Sequence, residues 1–403
     1  MTWSFRLFSL RLIFIFKKAF LPNGYPHTVS EDYLQYQLWD SVQAFASSIM
    51  NNLATQAVFK GVGVGDSSAT VLAATITWLL KDGTSIIGSL IFATVQSTMM
   101  DSYCKRWRLF ADILNDIAIC VDLLSSTLSH PYFTIVQCFS GILRSLVGIA
   151  GGATRAALTQ HQAKCNNMAD VSAKDGSQER MVNLFALLFS LVLIPIISEK
   201  TEFIWLLFTL FTTLHIYANY RAIKTVSINA FNGARLACIM EHHLTKSNDL
   251  NGYRVDMINR KENVWFFNTF DKYDRYFRNV TILYNSSKEA QAGDNKFSIP
   301  FTIISNENHY KVILHEKFNT KTRHHSSRDN TTKIIKALFQ IFVERFEHER
   351  IDGYSLTKDL DLFLERIDKA GWNLNHLLMF EFFAEQDSSN EEEEGDDSIK
   401  KNN

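Results

Sequence analysis

The sequence has little proline and cysteine: its 403 residues include five of each. The cysteines are odd in number, scattered, and form no C-x-x-C pair, which argues against a disulfide framework and a zinc knuckle. We therefore predict reduced thiols in a chain that faces the cytosol. A formal net charge of −1 provides no overall attraction to nucleic acid, and we predict no nucleic-acid partner.

The sequence also lacks the patterns of well-known catalytic centres. It contains no G-x-S-x-G turn and no H-E-x-x-H helix. Two adjacent histidine pairs, His242–His243 and His324–His325, have no i, i+4 partner with which to hold a metal. The glycines at Gly61, Gly63 and Gly65 lack the spacing of a phosphate loop and follow no strand pattern. We therefore predict no enzyme activity, no metal and no cofactor.

Long apolar segments, in contrast, recur through the first half of the chain. Lysine and arginine gather before the first segment, after the second, fourth and sixth, and almost nowhere between the others. Helices oriented by the positive-inside rule show this alternation. It predicts six membrane spans with both termini in the cytosol; two or three spans, or a wholly soluble bundle, are the alternatives. The segments are Tyr33–Phe59, Ala69–Thr98, Trp107–Leu128, Tyr132–Ala150, Met181–Ile197 and Phe203–Tyr220.

Several of these segments contain charged residues. A charge at membrane depth costs at least ~2.5–3.5 kcal/mol, so it normally faces the bundle interior and has a partner. Asp112 and Asp116 share one helical face, and we expect one of them to pair with Arg144. Lys81 and Asp82 interrupt the second segment. The alternative is that these charges lie near helix ends or form purely structural ion pairs.

The most polar stretch of the first half, Thr154–Glu179, lies between two strongly apolar segments. A plain connection needs only ~4–6 residues, so part of the stretch should extend the fourth helix. The remainder should form a functional surface, with Asp170 and Ser172 as candidate N-caps of the next helix. The candidate residues of this surface are Arg155, Gln160, His161, Asn166, Asn167, Asp170, Lys174 and Asp175.

Composition divides the chain into five parts. Residues 1–30 are basic and apolar, and indicate a targeting or interfacial segment or the positive flank of a first membrane helix. Residues 31–222 form the helical membrane domain, and residues 223–250 a linking helix. Residues 251–385 form a small soluble α+β domain, and residues 386–403 an acidic, disordered tail. The predicted strands are Val280–Tyr284, Phe297–Ile304, Tyr310–His315 and Leu374–Phe380, and the predicted helices are Thr331–Glu347 and Leu356–Ala370.

The predicted fold class is therefore mainly α: a polytopic helical membrane bundle of about six apolar helices, followed by the small soluble α+β domain. The blocks NNLATQAVFKGVGVGDSSAT, KRWRLFADILNDIA and VGIAGGATRAALTQHQAKCNNMADVSAKDGSQE closely resemble the root UVB sensitive family, within a match over about Phe20–Ala222. The chain resembles animal-type members most. The resemblance implies a membrane protein whose plant relatives are linked to UV-B responses, auxin transport and vitamin B6 homeostasis, and associate with one another. It implies no catalytic residues.

Three functions are compatible with these features. The first is a transport-related membrane protein with a polar, charge-paired interior. The second is a membrane-anchored scaffold that acts by self-association or association with family members. The third, a vitamin B6-related binding protein, rests on the resemblance alone. Membrane lipid is an expected partner in each case. The small-molecule ligand stays open, and so does the organelle, for which the mitochondrion and the endoplasmic reticulum are two candidates.

Overall fold

A computed structural model describes residues 15–64, 70–197, 200–246, 248–265, 274–277, 280–285, 301–306, 309–315, 327–347 and 356–374. The chain forms two compact units. Unit 1 comprises Met1–Ile228 and Val255–Thr269, and unit 2 comprises Asn229–Arg254 and Phe270–Asn403. Each unit is thus built from two separate pieces of the sequence.

Unit 1 is a bundle of long helices. The first ends at Gly63, whose φ of 93° lies in the left-handed region that favours glycine, and the Gly63 N–H bonds back to the carbonyl of Lys60. The fourth carries Pro131 in its first turn, where the missing N–H breaks no helical hydrogen bond. In the described part of unit 1, the helices of more than 20 residues are α1 (Tyr33–Val62), α2 (Val71–Ser102), α3 (Cys104–Ser125), α4 (His130–Gln162), α5 (Met168–Ile197) and α6 (Thr201–Thr225).

The helices α1 and α3 lie at the centre of this bundle. The first packs against α3, α5 and α6, and the second packs against α1, α4 and α6. The helix α2 packs chiefly along α4. One apolar core joins Ile49 and Leu53 of α1 to Ile119 of α3 and Ala186 of α5. The bundle is therefore organised around two inner helices.

Four helices contain stretches long and apolar enough to cross a membrane: Val71–Thr94, Tyr132–Gln162, Met168–Ile197 and Thr201–Thr225. The prediction of about six apolar helices is not supported, because α1 and α3 do not meet this criterion in the described residues. The reason lies in their position. Inner helices need no lipophilic outer surface, and they bury polar side chains such as Gln43, Asp112 and Asp122, which lowers their mean hydropathy.

Glycines bring α2 close to α4. A Cβ on Gly141 would lie 2.6 Å from Oγ of Ser85 and 3.1 Å from the backbone oxygen of Lys81. A Cβ on Gly88 would lie 3.2 Å from a side-chain carbon of Ile142. Small residues commonly permit such close approach between membrane helices. Here the approach sets Lys81 beside the polar side chains of α4.

Unit 2 contains a three-stranded mixed sheet. The strands are β1 (Val280–Asn285), β2 (Phe301–Asn306) and β3 (His309–His315), in the order β1-β3-β2. The central strand β3 is parallel to β1 and antiparallel to β2. The other elements after α6 are α7 (Gly233–Lys246), a 3₁₀ turn (Leu250–Tyr253), α8 (Val255–Lys261), α9 (Asp274–Phe277), α10 (Ser327–Glu347) and α11 (Leu356–Lys369). Of these, α8 belongs to unit 1.

Three predicted strands and both predicted C-terminal helices thus correspond to elements of the structure. The predicted strand at Leu374–Phe380 lies outside the described residues except for Leu374, and the acidic tail lies entirely outside them. Solubility of this part stays a prediction. Within unit 2 the rings of Phe231 and Trp372 stack with centroids 4.7 Å apart. The ring of His243 packs on Phe339 and Phe363, and burial lowers the pKa of His243 to about 4.

Candidate functional site: buried polar networks of the helical bundle

The first polar network joins Arg144 on α4 to Asp122 on α3. Arg144 donates from Nη2 and Nε to Oδ2 of Asp122, at 2.6 and 3.2 Å, and from Nη1 to Oδ1 of Asn51 on α1, at 3.0 Å. The Asp122 side chain is 3% exposed, whereas that of Arg144 is 33% exposed. The cation therefore reaches the surface of unit 1 while its carboxylate partner lies inside.

Gln137 extends this network from α4 to α2. Its Nε2 donates to Oδ1 of Asp122 at 3.2 Å and to Oγ of Ser125 at 3.0 Å. Its Oε1 accepts a hydrogen bond of 2.7 Å from Nζ of Lys81, which also lies 5.1 Å from the ring centroid of Trp78. We call Asn51, Lys81, Asp122, Gln137 and Arg144 the Asp122–Arg144 network. It links four helices, α1 to α4.

The predicted pairing of Arg144 with Asp112 or Asp116 is wrong. Asp122 follows Asp116 by six residues, which turns its side chain by about 240° around the helix axis. That rotation directs Asp122 toward α4, whereas Asp112 and Asp116 face α1 and α6. Of the two adjacent charges on α2, Lys81 enters the network, and Asp82 lies on the exposed side of the helix.

The second polar network surrounds His215 on α6, which is completely buried. Nδ1 of His215 lies 2.9 Å from Oδ2 of Asp116. Its Nε2 lies 2.9 Å from Nε2 of Gln43, which also donates to Asp112 at 3.1 Å. Since the Gln43 amide is the donor in both bonds, Nε2 of His215 accepts, and Nδ1 carries the proton toward Asp116. Asn219, one turn further along α6, donates to the same oxygen of Asp112.

We call Gln43, Asp112, Asp116, His215 and Asn219 the His215 cluster. It joins α1, α3 and α6, so the inner helix α3 supports both polar groups from different faces. The sequence analysis did not single out His215. A lone histidine in the apolar run FIWLLFTLFTTLHIYA is nevertheless a usable signal, because an ionisable residue in such a segment normally has a partner in the bundle.

The turn between α4 and α5 is much shorter than the predicted polar loop. The helix α4 ends at Gln162 and α5 begins at Met168, so most of the polar stretch is helical. The proposed N-caps Asp170 and Ser172 lie inside α5, which begins at Met168, so neither is at the N-cap position. Asn166 adopts a positive φ of 54° in the turn, a conformation that asparagine tolerates better than most residues.

This turn holds the segment that precedes α1. A backbone bridge joins Val29 to Ala163. Asp32 accepts from Nε2 of His161 at 2.9 Å, from the backbone N–H of Ser227 at 2.7 Å, and from the hydroxyl of Ser30. Burial alone would raise the pKa of Asp32, but these donors outweigh it and lower the pKa to about 2. Asp32 thus ties three separate parts of unit 1 together.

Most other residues of the predicted surface also make structural contacts. Asp170 accepts from the backbone N–H of Asn23 at 2.7 Å, and Lys174 donates to the backbone oxygen of Lys18 at 2.7 Å. Arg155 pairs with Asp175 at 2.5 Å and with Glu179 at 2.7 Å. The Asn167 side chain accepts from the backbone N–H of Cys165, and Gln160 and Asn166 are exposed. These contacts clamp residues 18–32; a functional role for the surface stays a prediction.

Replacing Asp32 with asparagine is expected to lower stability by about 2 kcal/mol at neutral pH. The pKa of Asp32 in the folded chain, about 2, is depressed from ~3.9 in the unfolded chain. Its contribution is therefore fully present above about pH 4 and is lost as the pH falls toward 2. Thermal unfolding of both proteins between pH 2 and 7 measures this difference. A gap in melting temperature that does not narrow below pH 4 would contradict it.

A third buried charge pair belongs to unit 1 as well. Nζ of Lys105, at the start of α3, lies 3.3 Å from Oε2 of Glu262 and 2.7 Å from Oδ1 of Asn259. The side chains of Lys105 and Glu262 are each 1% exposed. This pair fastens the segment after α8 to the bundle and has the character of a structural anchor.

The described residues contain no group of three or more His, Cys, Asp and Glu that could hold a metal ion. In unit 2, His242 lies 2.8 Å from the backbone oxygen of Asp249, and His243 lies 2.6 Å from the hydroxyl of Tyr253. The second histidine pair, His324–His325, lies outside the described residues.

The profile of a family described as a vitamin B6 photo-protection and homoeostasis domain matches residues 9–247, more than half of the chain. The chain belongs to the root UVB sensitive family. It is 45% identical over 251 residues to "RUS family member 1" of Dictyostelium discoideum. This alignment covers 62% of this chain and 47% of that protein. It is 40% identical over 248 residues to "Protein root UVB sensitive 3" of Arabidopsis thaliana, covering 62% and 56%.

The predicted membership in the root UVB sensitive family is therefore confirmed, and the narrower assignment to an animal-type branch stays a prediction. A longer match, 28% identical over 382 residues, covers 88% of this chain and 72% of "Protein root UVB sensitive 5" of Arabidopsis thaliana. The chain spans about half the length of the first two relatives. No solved structure matches the chain. The family match contains both polar networks of the bundle.

Proposed function

We propose that this member of the root UVB sensitive family is an integral membrane protein that carries a small polar molecule through the interior of unit 1. The observation that supports this most is the burial of two polar networks on inner helices, flanked by four helices of membrane-spanning length. A bundle that only anchored a protein to a membrane would be more stable with an apolar interior, because buried ion pairs contribute little net stability.

The outer surface of the bundle supports a lipid environment. Large apolar side chains are exposed on the four long apolar helices, for example Leu79, Leu191 and Leu206, each more than 60% exposed. In water such a surface would promote aggregation. In a bilayer it faces hydrocarbon at no cost, and the polar residues collect inside, as they do in membrane proteins that move ions or polar solutes.

Topology is the first property to measure. In a background whose sole cysteine is the exposed Cys165, an impermeant maleimide should label this residue from the cytosolic face. Ser129→Cys, at the other end of α4, should be labelled from the opposite face. Asp101→Cys, just before α3, shows whether α3 crosses the membrane. If α3 crosses, this position should be labelled from the same face as Cys165. If only the four apolar helices cross, it should be labelled from the same face as Ser129→Cys. Labelling of all three positions from one face would show that α4 does not cross the membrane and would overturn transport through the bundle.

Vitamin B6 is the first solute to test, because the description of the matching domain names it. Purified protein in proteoliposomes is expected to take up labelled pyridoxine or pyridoxal 5′-phosphate faster than empty vesicles. Asp116→Asn should abolish the uptake, since it removes the negative charge beside His215. The matched control is Asp256→Asn, at a half-exposed site outside both networks, which should leave the uptake unchanged. Equal uptake by Asp116→Asn would contradict a path through the His215 cluster.

A membrane-anchored scaffold is the second candidate. The apolar side of α2 that faces away from α4 supports it, with Leu72, Ile87 and Leu90 each at least 60% exposed. If this side binds another copy or a family member, Ile87→Trp should disrupt the association in size-exclusion measurements and leave the fold intact. Absence of solute flux together with a stable oligomer would favour the scaffold over the transport function.

A further inference from the structure

The Asp122–Arg144 network contains more positive than negative charge. Lys81 and Arg144 contribute two cations, and Asp122 contributes one carboxylate. The charge of Lys81 interacts most strongly with that of Asp122, and also with those of Arg144 and Asp82. The next acid along α2, Asp82, lies on the exposed side of that helix and makes no hydrogen bond or ion pair with the network in the described part of the chain. The network as a whole therefore carries one unit of excess positive charge.

The hydrogen bonds show where this excess is located. Asp122 accepts three hydrogen bonds from Arg144 and Gln137, which approach both of its oxygens. Among the described residues, Lys81 donates to the neutral amide oxygen of Gln137 through one of its three N–H groups and lies over the ring of Trp78. Arg144 uses three of its five N–H groups on Asp122 and Asn51. Within the part of the chain that the structure describes, donors therefore remain on both cations, and Lys81 makes no direct ion pair with a carboxylate.

The position of these donors makes the excess charge costly without a ligand. Lys81 and Arg144 lie well inside the stretches Val71–Thr94 and Tyr132–Gln162, which are long and apolar enough to cross a membrane. The Arg144 side chain is 33% exposed and Lys81 is partly exposed, so both are accessible from outside unit 1. A charge at membrane depth normally has a counter-charge, and an anion supplies one.

We propose that Lys81 and Arg144 form a binding site for the anionic group of a ligand, a carboxylate or a phosphate. The planar guanidinium of Arg144 offers paired donors to two oxygens of such a group, and the ammonium of Lys81 adds a point charge beside it. The close contact of α2 with α4 at Gly141 places the backbone of Lys81 against the helix that carries Arg144. This inference deepens the proposed function, on which it rests, by assigning the substrate class.

Binding of inorganic phosphate to the purified full chain in detergent tests the site. With gluconate as the background anion at constant ionic strength, phosphate should raise the melting temperature saturably, and chloride should not. Lys81→Met should weaken phosphate binding about tenfold, the loss expected for one charged hydrogen bond. Lys81→Arg should restore binding, and Lys369→Gln, which removes an exposed lysine of a surface pair, should leave it unchanged. Equal stabilisation of the wild type and Lys81→Met by phosphate would overturn the proposal.

A lipid headgroup also contains a phosphate group. A second experiment therefore distinguishes a bound lipid from a free phosphate. Short-chain phosphatidic acid should compete with phosphate at this site if the headgroup is the ligand, and native mass spectrometry should then detect an anionic lipid on the wild type and not on Lys81→Met. Failure of both phosphate and phosphatidic acid to bind would refute the anion site. Because binding is measured without flux, anion binding in the absence of vitamin uptake would refute transport alone, and uptake without anion binding would refute the site alone.

Discussion

Replacing Asp122 with asparagine is expected to destabilise unit 1 by about 3 kcal/mol, the low end of the range for breaking a buried ion pair. The low end applies because Arg144 is 33% exposed and can be partly solvated after the change. Replacing Arg144 with glutamine should cost a similar amount, since Asp122 is 3% exposed and loses two charged donors. For a unit of this size, 3 kcal/mol corresponds to a fall in melting temperature of roughly 6–12 °C.

The double variant Asp122→Asn, Arg144→Gln is the decisive comparison. With both charges removed, no unpaired charge remains at that position, so the double variant should be more stable than the sum of the single changes predicts, by at least about 1 kcal/mol. Thermal unfolding in one detergent measures all four proteins. The exposed pair of Glu365 and Lys369 is the control, because solvent screens an exposed pair and the same cycle there should give no measurable coupling. Additive losses at Asp122 and Arg144 would show that the pair is not an energetic unit.

The partner of Arg144 illustrates where sequence analysis stops. The apolar runs predicted α2, α4, α5 and α6 because hydropathy and length are local properties. Which acid faces Arg144 depends on how α3 is rotated between its neighbours, and the spacing within α3 does not determine that rotation. Asp112 and Asp116 share a face, as predicted, but that face is directed toward α6 and meets His215. Asp112 and Asp116 are therefore buried, as predicted, and their partner is His215 rather than Arg144.

The prediction of an exposed loop between α4 and α5 was wrong for a related reason. Its composition suggested an exposed functional loop, yet its side chains bind residues more than a hundred positions away, such as His161 with Asp32 and Lys174 with the backbone of Lys18. Contacts between residues so far apart in the sequence cannot be predicted from local composition. Polar residues that satisfy the buried backbone and carboxylate of another segment have the same sequence signature as polar residues that face water.

Replacing Lys105 with methionine is expected to have the largest effect on stability, a loss of about 3–5 kcal/mol. Lys105 and Glu262 are each 1% exposed, so the carboxylate that loses its ammonium partner cannot be solvated without opening the structure. The change also removes the hydrogen bond to Asn259, whose amide binds the backbone of Ile228 in both directions. Loss of this pair should therefore loosen the whole segment around α8.

Two measurements examine this expectation. Thermal unfolding reports the loss of stability, and limited proteolysis should cleave Lys105→Met first near Lys261, where wild-type protein resists. The double variant Lys105→Met, Glu262→Leu should recover much of the loss, because replacing a buried ion pair by apolar side chains of similar size is often neutral. The control lies in α8, just before Glu262: Asp256→Asn affects a pair whose arginine, Arg260, is 72% exposed, and should change stability by less than about 1 kcal/mol. If Lys105→Met is as mild as Asp256→Asn, the anchor lies elsewhere, and packing of Val264 against Leu109 and Ile223 must hold the segment instead.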